Sequence, residues 1–206
     1  MFLKHLQVGP LETNCYIIAD EKSRIAAIID PGDNANEIIN AVHEAKLKIK
    51  YIFLTHGHCD HIAALKEVKE TTDAKIVIHE QDAHMLSSAE SNLSFLLGEE
   101  FTQPLPDIKL TDNKEFKIGD LVLNIIHTPG HTSGGISIQV DNLVFTGDTL
   151  FAGSIGRTDF PGGSYDKLIR SIKEKLLTLP DDTKIYPGHG EPSTIGYEKM
   201  RNPFLR

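Results

Sequence analysis

The stretch that decides the fold is His56-Gly57-His58-Cys59-Asp60-His61, which places four potential metal ligands within six residues. It follows the largely apolar run Tyr51-Ile52-Phe53-Leu54-Thr55, whose composition is typical of a buried strand. A helical periodicity of apolar residues follows over residues 62–70. The motif is therefore predicted to be a strand-to-helix turn, in which Gly57 adopts a backbone geometry that a side chain would resist.

The spacing of the motif predicts which of its side chains point to the same side. In its extended part, residues 56, 58 and 60 are expected to point to one side, because successive side chains of an extended chain alternate in direction. His61 would open the helix and point elsewhere. One short loop can thus present two imidazoles to one ion, and a carboxylate with an imidazole to a second ion. The motif predicts a metal site.

Length and composition limit the function classes. With 206 residues and 40% hydrophobic content, the chain is expected to form a single domain over residues 1–206. A net charge of −8 argues against a surface that binds nucleic acid. No run approaches the roughly 18 apolar residues of a membrane helix, and no export signal follows Met1, so we expect a cytoplasmic protein without membrane contact. Only Cys15 and Cys59 are present, which fits a reducing compartment.

The remaining chain alternates between strand and helix patterns. A long loop without periodicity is predicted at residues 88–107, and such loops are often functional. The pattern predicts strands at 2–8, 14–19, 25–30, 49–55, 75–79, 115–118, 121–127, 135–140, 142–146 and 183–186, helices at 35–46, 62–70, 80–87 and 165–178, and an irregular tail.

The second half of the chain supplies further ligands. His131, Asp148 and His189 each follow a strand-like apolar run. In α/β sheets, ligands are bound beyond the carboxyl ends of the strands, so side chains from four such turns are expected to meet at one rim. The predicted ligand set is His56, His58, Asp60, His61, His131, Asp148 and His189.

These residues match, one by one, the ligand pattern of the metallo-β-lactamase superfamily, which the chain resembles over nearly its whole length. The resemblance implies an α/β fold, the αβ/βα four-layer sandwich. It also implies how the ligands divide: one ion on His56, His58 and His131, a second on Asp60, His61 and His189, and Asp148 bridging the two.

Two further segments, residues 147–151 (GDTLF) and 156–160 (GRTDF), resemble the glyoxalase II branch in its short form. The implied activity is hydrolysis of an S-2-hydroxyacyl (S-lactoyl) thioester by a metal-bridging hydroxide, with Asp60 as the catalytic residue that orients the nucleophile. The implied cofactors are two divalent ions, with Zn²⁺ favoured and iron or manganese as alternatives. This chain ends at Arg206, where longer enzymes continue into a helical glutathione-binding domain, so the carrier thiol stays open. The oligomeric state also stays open.

Arg157 is the candidate substrate-binding residue. It occupies a position at which glyoxalase II enzymes often have a lysine, and its guanidinium would suit a substrate carboxylate. The structural alternative is that Arg157 pairs with Asp159 or Asp166 and holds the loop.

The rival function is that of a persulfide dioxygenase, which the same segments also resemble. Such an enzyme would use a single Fe(II) on His56, His131 and Asp148. A nuclease and an exported β-lactamase are less favoured, because the sequence shows neither a basic face nor an export signal. A non-catalytic metal-binding module is less favoured because structural zinc sites are generally rich in Cys, whereas these donors are His and Asp.

Overall fold

Two six-stranded β-sheets form the framework of the protein, seen in a computed structural model that describes residues 1–111 and 114–206. The first sheet contains the first six strands, adjacent in chain order. They pair antiparallel as far as the third strand and parallel from there on. The strands are β1 (Phe2–Val8), β2 (Thr13–Ala19), β3 (Ile25–Ile29), β4 (Lys48–Phe53), β5 (Lys75–His79) and β6 (Ile108–Leu110).

The second sheet is built from the rest of the chain, and a two-stranded hairpin lies beside it. Its strands are β7 (Glu115–Ile118), β8 (Leu121–His127), β9 (Ile136–Val140), β10 (Leu143–Gly147), β13 (Lys184–Pro187) and β14 (Ser193–Thr194), while β11 (Leu150–Phe151) and β12 (Ser154–Ile155) form the hairpin. The order in the sheet is β14-β13-β10-β9-β8-β7, and β10 and β13 are parallel.

Helices cover the outer face of each sheet. Ile38 and Leu65, from the helices that flank β4, pack in one buried cluster with the outer face of the first sheet, and Leu168 packs in another with the outer face of the second. The four-layer αβ/βα sandwich implied by the family resemblance is therefore confirmed. None of the helices in the described ranges is long and apolar enough to span a bilayer. The helices are α1 (Ala35–Glu44), α2 (Cys59–Ile62), α3 (Leu65–Thr72), α4 (Tyr165–Ser171), which a π-helical turn at Ile172–Leu176 continues, and α5 (Ile195–Arg201).

The central strands are buried on both faces. In β4, Phe53 lies in the cluster between the sheets, whereas its neighbour Ile52 packs under the helices. In β10, Phe145 lies between the sheets and Val144 packs under the helices. This explains why residues 51–54 and 143–145 are continuous apolar runs, because neither face of these parts of the strands meets water.

The helix predicted at residues 62–70 is wrong in detail. The structure has two short helices there, and α2 begins at Cys59, so Asp60 lies in a helix and not in the extended part of the turn. The prediction that alternate side chains of an extended chain point to one side can therefore apply to residues 56 and 58 but not to residue 60.

The predicted irregular tail is also wrong, because it contains α5. This helix exposes Tyr197 and Met200 and buries Glu198, which accepts hydrogen bonds from the Gly153 backbone N–H at 2.9 Å and from the Asn202 side chain at 2.8 Å. An apolar stripe facing the core, the usual sign of a surface helix, is thus missing from its sequence.

The segment 88–107 is irregular apart from a 3₁₀ turn at Ser94–Leu97, as the sequence predicts. It is anchored to the ligand motif, since the backbone N–H of Cys59 donates to the carbonyl of Asn92 at 2.8 Å. Asn92 is fully buried, and its side chain donates to the carbonyl of Phe101 at 3.0 Å. The excursion is therefore held against α2, next to the predicted site.

The first prediction concerns the core between the two sheets. Phe145→Ala should lower the free energy of unfolding by about 3–5 kcal/mol, because it removes a fully buried ring between the sheets. Denaturant titration at fixed metal content measures this change. Leu105→Ala is the control, since Leu105 is 71% exposed and should change stability by less than about 0.5 kcal/mol. Equal effects of the two substitutions would contradict the assigned core.

Candidate metal centre

The ligand motif begins just beyond β4. His56 and His58 precede α2, while Asp60 and His61 lie within its single turn. Gly57 does not have the unusual backbone conformation that the sequence suggested; instead, a Cβ at this position would lie 2.6 Å from the Cβ of Met85. Glycine is needed there because the chain passes too close to a neighbouring side chain.

The other three ligands follow strands of the second sheet. His131 lies in the turn after β8, Asp148 directly follows β10, and His189 follows β13. Gly147, at the end of β10, has a φ of +49°, and a Cβ there would lie 2.4 Å from Oγ1 of Thr55. The two sheets thus approach so closely at this rim that Asp148 reaches the motif after β4.

The structure brings all seven predicted side chains together. Their donor atoms form three groups, within each of which every atom lies within 4.8 Å of the others. Two groups are those implied by the family resemblance, and the third links both halves through the Asp148 carboxylate. The groups are His56, His58 and His131; Asp60, His61 and His189; and His56, His61 and Asp148.

Individual contacts show how tightly the cluster is packed. Nδ1 of His58 lies 2.9 Å from Nε2 of His131, and Nε2 of His61 lies 3.3 Å from Nε2 of His189. The Asp148 carboxylate reaches both pairs, with Oδ1 3.3 Å from Nε2 of His61 and Oδ2 3.6 Å from Nε2 of His131.

Unpaired polar atoms show that the cluster fits a metal ion. Within the described ranges, Nε2 of His56 is buried and forms no hydrogen bond, and Oδ1 of Asp148 is buried with the 3.3 Å ion-pair contact to His61 but no hydrogen bond of good geometry. A buried polar atom without a partner costs roughly 1–3 kcal/mol. An ion among the donors would satisfy both atoms, and imidazole and carboxylate donors suit Zn²⁺, Fe²⁺ or Mn²⁺.

Burial controls the protonation of the first histidine group. It lowers the pKa of His56 well below its usual value, and the neighbouring imidazoles of His61, His58 and His131 lower it further. Burial together with His131 lowers the pKa of His58 to about 3. Both imidazoles are therefore neutral at pH 7, which is the form that binds a metal.

Carboxylates surround the second donor group, which is formed by Asp60, His61 and His189. Burial opposes a charge on His61, but Asp60, Asp148 and Asp30 together raise its pKa well above the usual value. Burial likewise opposes the charge on Asp148, yet His61 and its neighbours hold the pKa of that carboxyl well below the usual range. Negative charge concentrated in a buried site attracts a cation.

Asp30 supports the cluster and was missed as a site residue. Its carboxylate accepts from the Thr55 backbone N–H at 2.7 Å, from Oγ1 of Thr55 at 2.6 Å, and lies 2.9 Å from Nδ1 of His61. Such a contact fixes the ring so that Nε2 faces the other ligands. A signal was present, because Asp30 follows the apolar strand β3 just as Asp148 follows β10.

The turn that carries His131 has its own support. Buried Asp82 accepts from Oγ1 of Thr132 at 2.6 Å and from the Gly134 backbone N–H at 2.7 Å. Nδ1 of His131 lies 2.8 Å from the carbonyl oxygen of Arg157, to which it can donate. Asp82 was missed because it lies outside any ligand motif, in a segment predicted as an ordinary helix.

Arg157 pairs with Asp159, which is the structural alternative to substrate binding that the sequence offers. Its Nε and Nη2 donate to the two carboxylate oxygens of Asp159 at 2.8 and 2.7 Å, and the guanidinium lies 3.7 Å from the centre of the Phe160 ring. The guanidinium also lowers the pKa of Asp159 to about 2. Arg157 nevertheless lines the cavity described next, so its role in substrate binding stays a prediction.

A cavity of about 330 Å³ opens onto the cluster. Five of the seven ligands line it, and four of the other lining residues are apolar and are called the apolar wall here. The apolar wall combines a turn after β1, the segment 88–107 and the loop that carries Arg157. The apolar side chains are Leu11, Leu93, Leu96 and Phe160.

The second prediction concerns the contact between Asp30 and His61. Asp30→Asn should weaken metal binding about 10- to 100-fold, because it removes the charge that orients His61. Competition with a chromophoric chelator measures the affinity. Asp20→Asn is the matched control: Asp20 is also buried and accepts two hydrogen bonds from Ser23, but these contacts involve no histidine. An equal loss of affinity in both variants would contradict the role of Asp30.

The sequence matches the model of the metallo-beta-lactamase superfamily over residues 8–189. A Haemophilus influenzae protein named hydroxyacylglutathione hydrolase GloC is 40% identical over 100% of this chain and 98% of its own length. A Bacillus subtilis protein named probable metallo-hydrolase YqgX is 40% identical over 98% of this chain and 96% of its own length. These relatives, together with the donor cluster, support a metal-dependent hydrolase.

Solved structures show the same fold. BLEG-1 B3 metallo-beta-lactamase superposes with a TM-score of 0.94 at 37% identity, covering 99% of each chain. TTHA1623 in a di-iron-bound form gives 0.87 at 33% identity, covering 98% of this chain and 100% of that one. ETHE1 from Myxococcus xanthus gives 0.83 at 32% identity, covering 98% and 84%. The chain therefore belongs to the metallo-beta-lactamase superfamily.

Proposed function

We propose that the protein is a dinuclear metal hydrolase of the glyoxalase II type. It would add water across the C–S bond of an S-2-hydroxyacyl thioester, such as an S-lactoyl thioester, and release the hydroxy acid and the free thiol. The observation that carries the proposal is the pair of three-donor groups linked through Asp148. The relative named hydroxyacylglutathione hydrolase supports the choice of a thioester.

The ligands would divide between two ions as the donor groups divide. Two divalent ions there would lower the pKa of a bound water from 15.7 toward about 7 and polarise the thioester carbonyl. Zn²⁺ is the proposed metal, with iron or manganese as alternatives. One ion would lie on His56, His58 and His131, the other on Asp60, His61 and His189, with Asp148 shared.

Asp60 is the proposed catalytic residue. Its Oδ2 accepts from Oγ1 of Thr13 at 3.3 Å and lies 3.1 Å from Nε2 of His189, so the carboxylate is held in place. Burial would raise its pKa, but His61 and His189 lower it overall, so Asp60 is ionised at neutral pH. An ionised carboxylate in this position can accept a hydrogen bond from the attacking water and orient it.

The leaving group places a modest demand on the site. A thiol has a pKa near 8.5, so it departs with far less protonation than an amine needs. The apolar wall of the cavity offers contact surface to the hydrocarbon part of a thiol arm.

A persulfide dioxygenase is the second candidate. Nε2 of His131 and Oδ2 of Asp148 lie 3.6 Å apart, and His56 shares one donor group with His131 and another with Asp148, so these three residues would be the ligands of a single Fe(II). The two candidates differ in metal count and in oxygen consumption.

Metal content and substrate assays give the third prediction. We expect two divalent ions per chain and hydrolysis of S-lactoyl thioesters that stops on chelation and returns with added metal, because each donor group supplies three ligands. Elemental analysis and thiol release measure the two quantities. Oxygen uptake on persulfides and β-lactam hydrolysis are followed in parallel. One iron per chain with persulfide-dependent oxygen uptake, or cleavage of β-lactams but not thioesters, would replace the proposal.

The role of Asp60 gives the fourth prediction. Asp60→Asn should lower kcat per bound metal about 10²- to 10⁴-fold, because a neutral amide accepts a weaker hydrogen bond from the attacking water than a carboxylate does and orients it less well. Cys59→Ala is the adjacent control: burial raises the pKa of Cys59 to about 11, so its thiol is neutral at pH 7 and is no competitor for the metal. The control should keep the wild-type metal content and rate. An Asp60→Asn enzyme with the wild-type rate would remove Asp60 from the mechanism.

A further inference from the structure

We propose that Asn14, together with its neighbour Thr13, is a positioning residue for the second metal ion, the one assigned to Asp60, His61 and His189. Neither side chain is among the seven donors. The inference rests on the dinuclear centre of the proposed function and deepens it, because it assigns the binding of one of the two ions to the start of β2.

His189 is the most exposed of the histidine ligands. Its side chain is 28% exposed, whereas those of His61 and His131 are 0% and 5% exposed. His56 and His58 are buried as well. Burial therefore restrains the other four imidazoles far more than it restrains His189. An imidazole that packing does not hold depends on hydrogen bonds from outside the ligand set for its orientation.

The turn that carries His189 has few side chains with which to hold itself. Two of the four residues of Pro187–Gly190 are glycines, and Gly190 has a φ of +74°. Gly188 has no room for a side chain, because a Cβ there would lie 2.2 Å from Oδ1 of Asp148. The turn must pass this close to the shared carboxylate, so its position depends on partners for its backbone carbonyls.

Asn14 supplies these partners from the other sheet. Its Nδ2 donates to the carbonyls of Pro187 at 3.0 Å and Gly190 at 2.9 Å, and its backbone N–H donates to the carbonyl of Gly188 at 2.8 Å. A single fully buried residue thus binds carbonyls on both sides of His189. The two sheets are tied together at the ligand itself.

The surroundings of the Asn14 amide determine its orientation. Carbonyl oxygens can only accept, so the NH₂ group of the amide must face Pro187 and Gly190. Its Oδ1 then faces Nε2 of His5, at 2.7 Å. Both N–H donors of the amide are used by the turn, which means that removing the side chain leaves two carbonyls without their partner.

The chain around Asn14 contacts two ligands of the second ion directly. The carbonyl of Leu11 lies 3.1 Å from Nδ1 of His189, which can donate to it, and Oγ1 of Thr13 donates to Oδ2 of Asp60 at 3.3 Å. Thr13 and His189 also form an isolated antiparallel bridge. The turn of His131, in the first donor group, has separate support. Changes at the start of β2 should therefore affect the second ion and spare the first.

The test titrates the metal-free protein with Zn²⁺ in competition with a chromophoric chelator, which gives the affinity of each ion. The wild type should bind two ions. Asn14→Ala should keep one at the wild-type affinity and bind the other about 10- to 100-fold more weakly, as is common when the outer support of a ligand is lost. Thr13→Val keeps the shape of the side chain, removes the hydroxyl contact, and should weaken the same ion about two- to tenfold.

Two comparisons separate positioning from general stability. Asn202→Ala is the matched control, because Asn202 is also fully buried and its side chain donates to the carbonyl of Ser154 at 3.0 Å; both affinities should stay at the wild-type values. In a His189→Ala background, Asn14→Ala should cause no further loss of affinity, because its effect passes through that imidazole.

The possible outcomes distinguish the inference from the proposed function. Equal weakening of both ions by Asn14→Ala, a further loss in the His189→Ala background, or wild-type affinities in both Asn14→Ala and Thr13→Val would overturn the inference. A wild-type protein that binds two ions and cleaves no thioester would overturn the proposed activity alone. A wild-type protein that binds a single ion would overturn both.

Discussion

The strand register of the two packed sheets is the constraint on which the site depends. In β4 and β10, one residue faces the inter-sheet core and its neighbour faces the helices, as with Phe53 beside Ile52 and Phe145 beside Val144. A slip by one residue would exchange these faces and bury each side chain in the wrong layer. The register therefore fixes the point at which each strand ends, so the ligands that follow the strands are brought to one rim, where contacts such as that of Asp30 with His61 orient them.

Electrostatics then divides the cluster into two unlike halves. In the first, burial lowers the pKa of His56 and of His58, so these two imidazoles are neutral and ready to bind a metal. The second concentrates carboxylates around His61, and Asp30 adds one from behind. Buried carboxylates destabilise a fold unless a positive charge accompanies them. A positive charge in this half, supplied by protonated His61 or by a bound metal ion, therefore offsets the buried carboxylates.

The sequence predicted those features of the fold and of the site that depend on short stretches of the chain. The donor motif at residues 56–61, the isolated ligands and most strands are visible because ligand type and strand period are properties of short segments. Asp30 and Asp82 were missed because their role depends on which distant backbone and side-chain groups they meet, at Thr55 and Thr132. The break between α2 and α3 and the existence of α5 were missed for the same reason. In α5 the buried residue is Glu198, whose burial depends on tertiary hydrogen bonds that no periodicity reveals.

The metal centre and the substrate wall come from different parts of the fold, and this separates chemistry from specificity. The ligands follow framework strands, and their positions are set by the packing of two sheets. The apolar wall and the Arg157–Asp159 pair belong to loops, including the excursion 88–107. Loops can change without disturbing a core, so one metal framework can support several substrates. Relatives of similar identity accordingly carry names as different as hydroxyacylglutathione hydrolase and B3 metallo-beta-lactamase. Within such a family, the loop residues that line the substrate cavity are the places where selectivity can shift while the centre itself is retained.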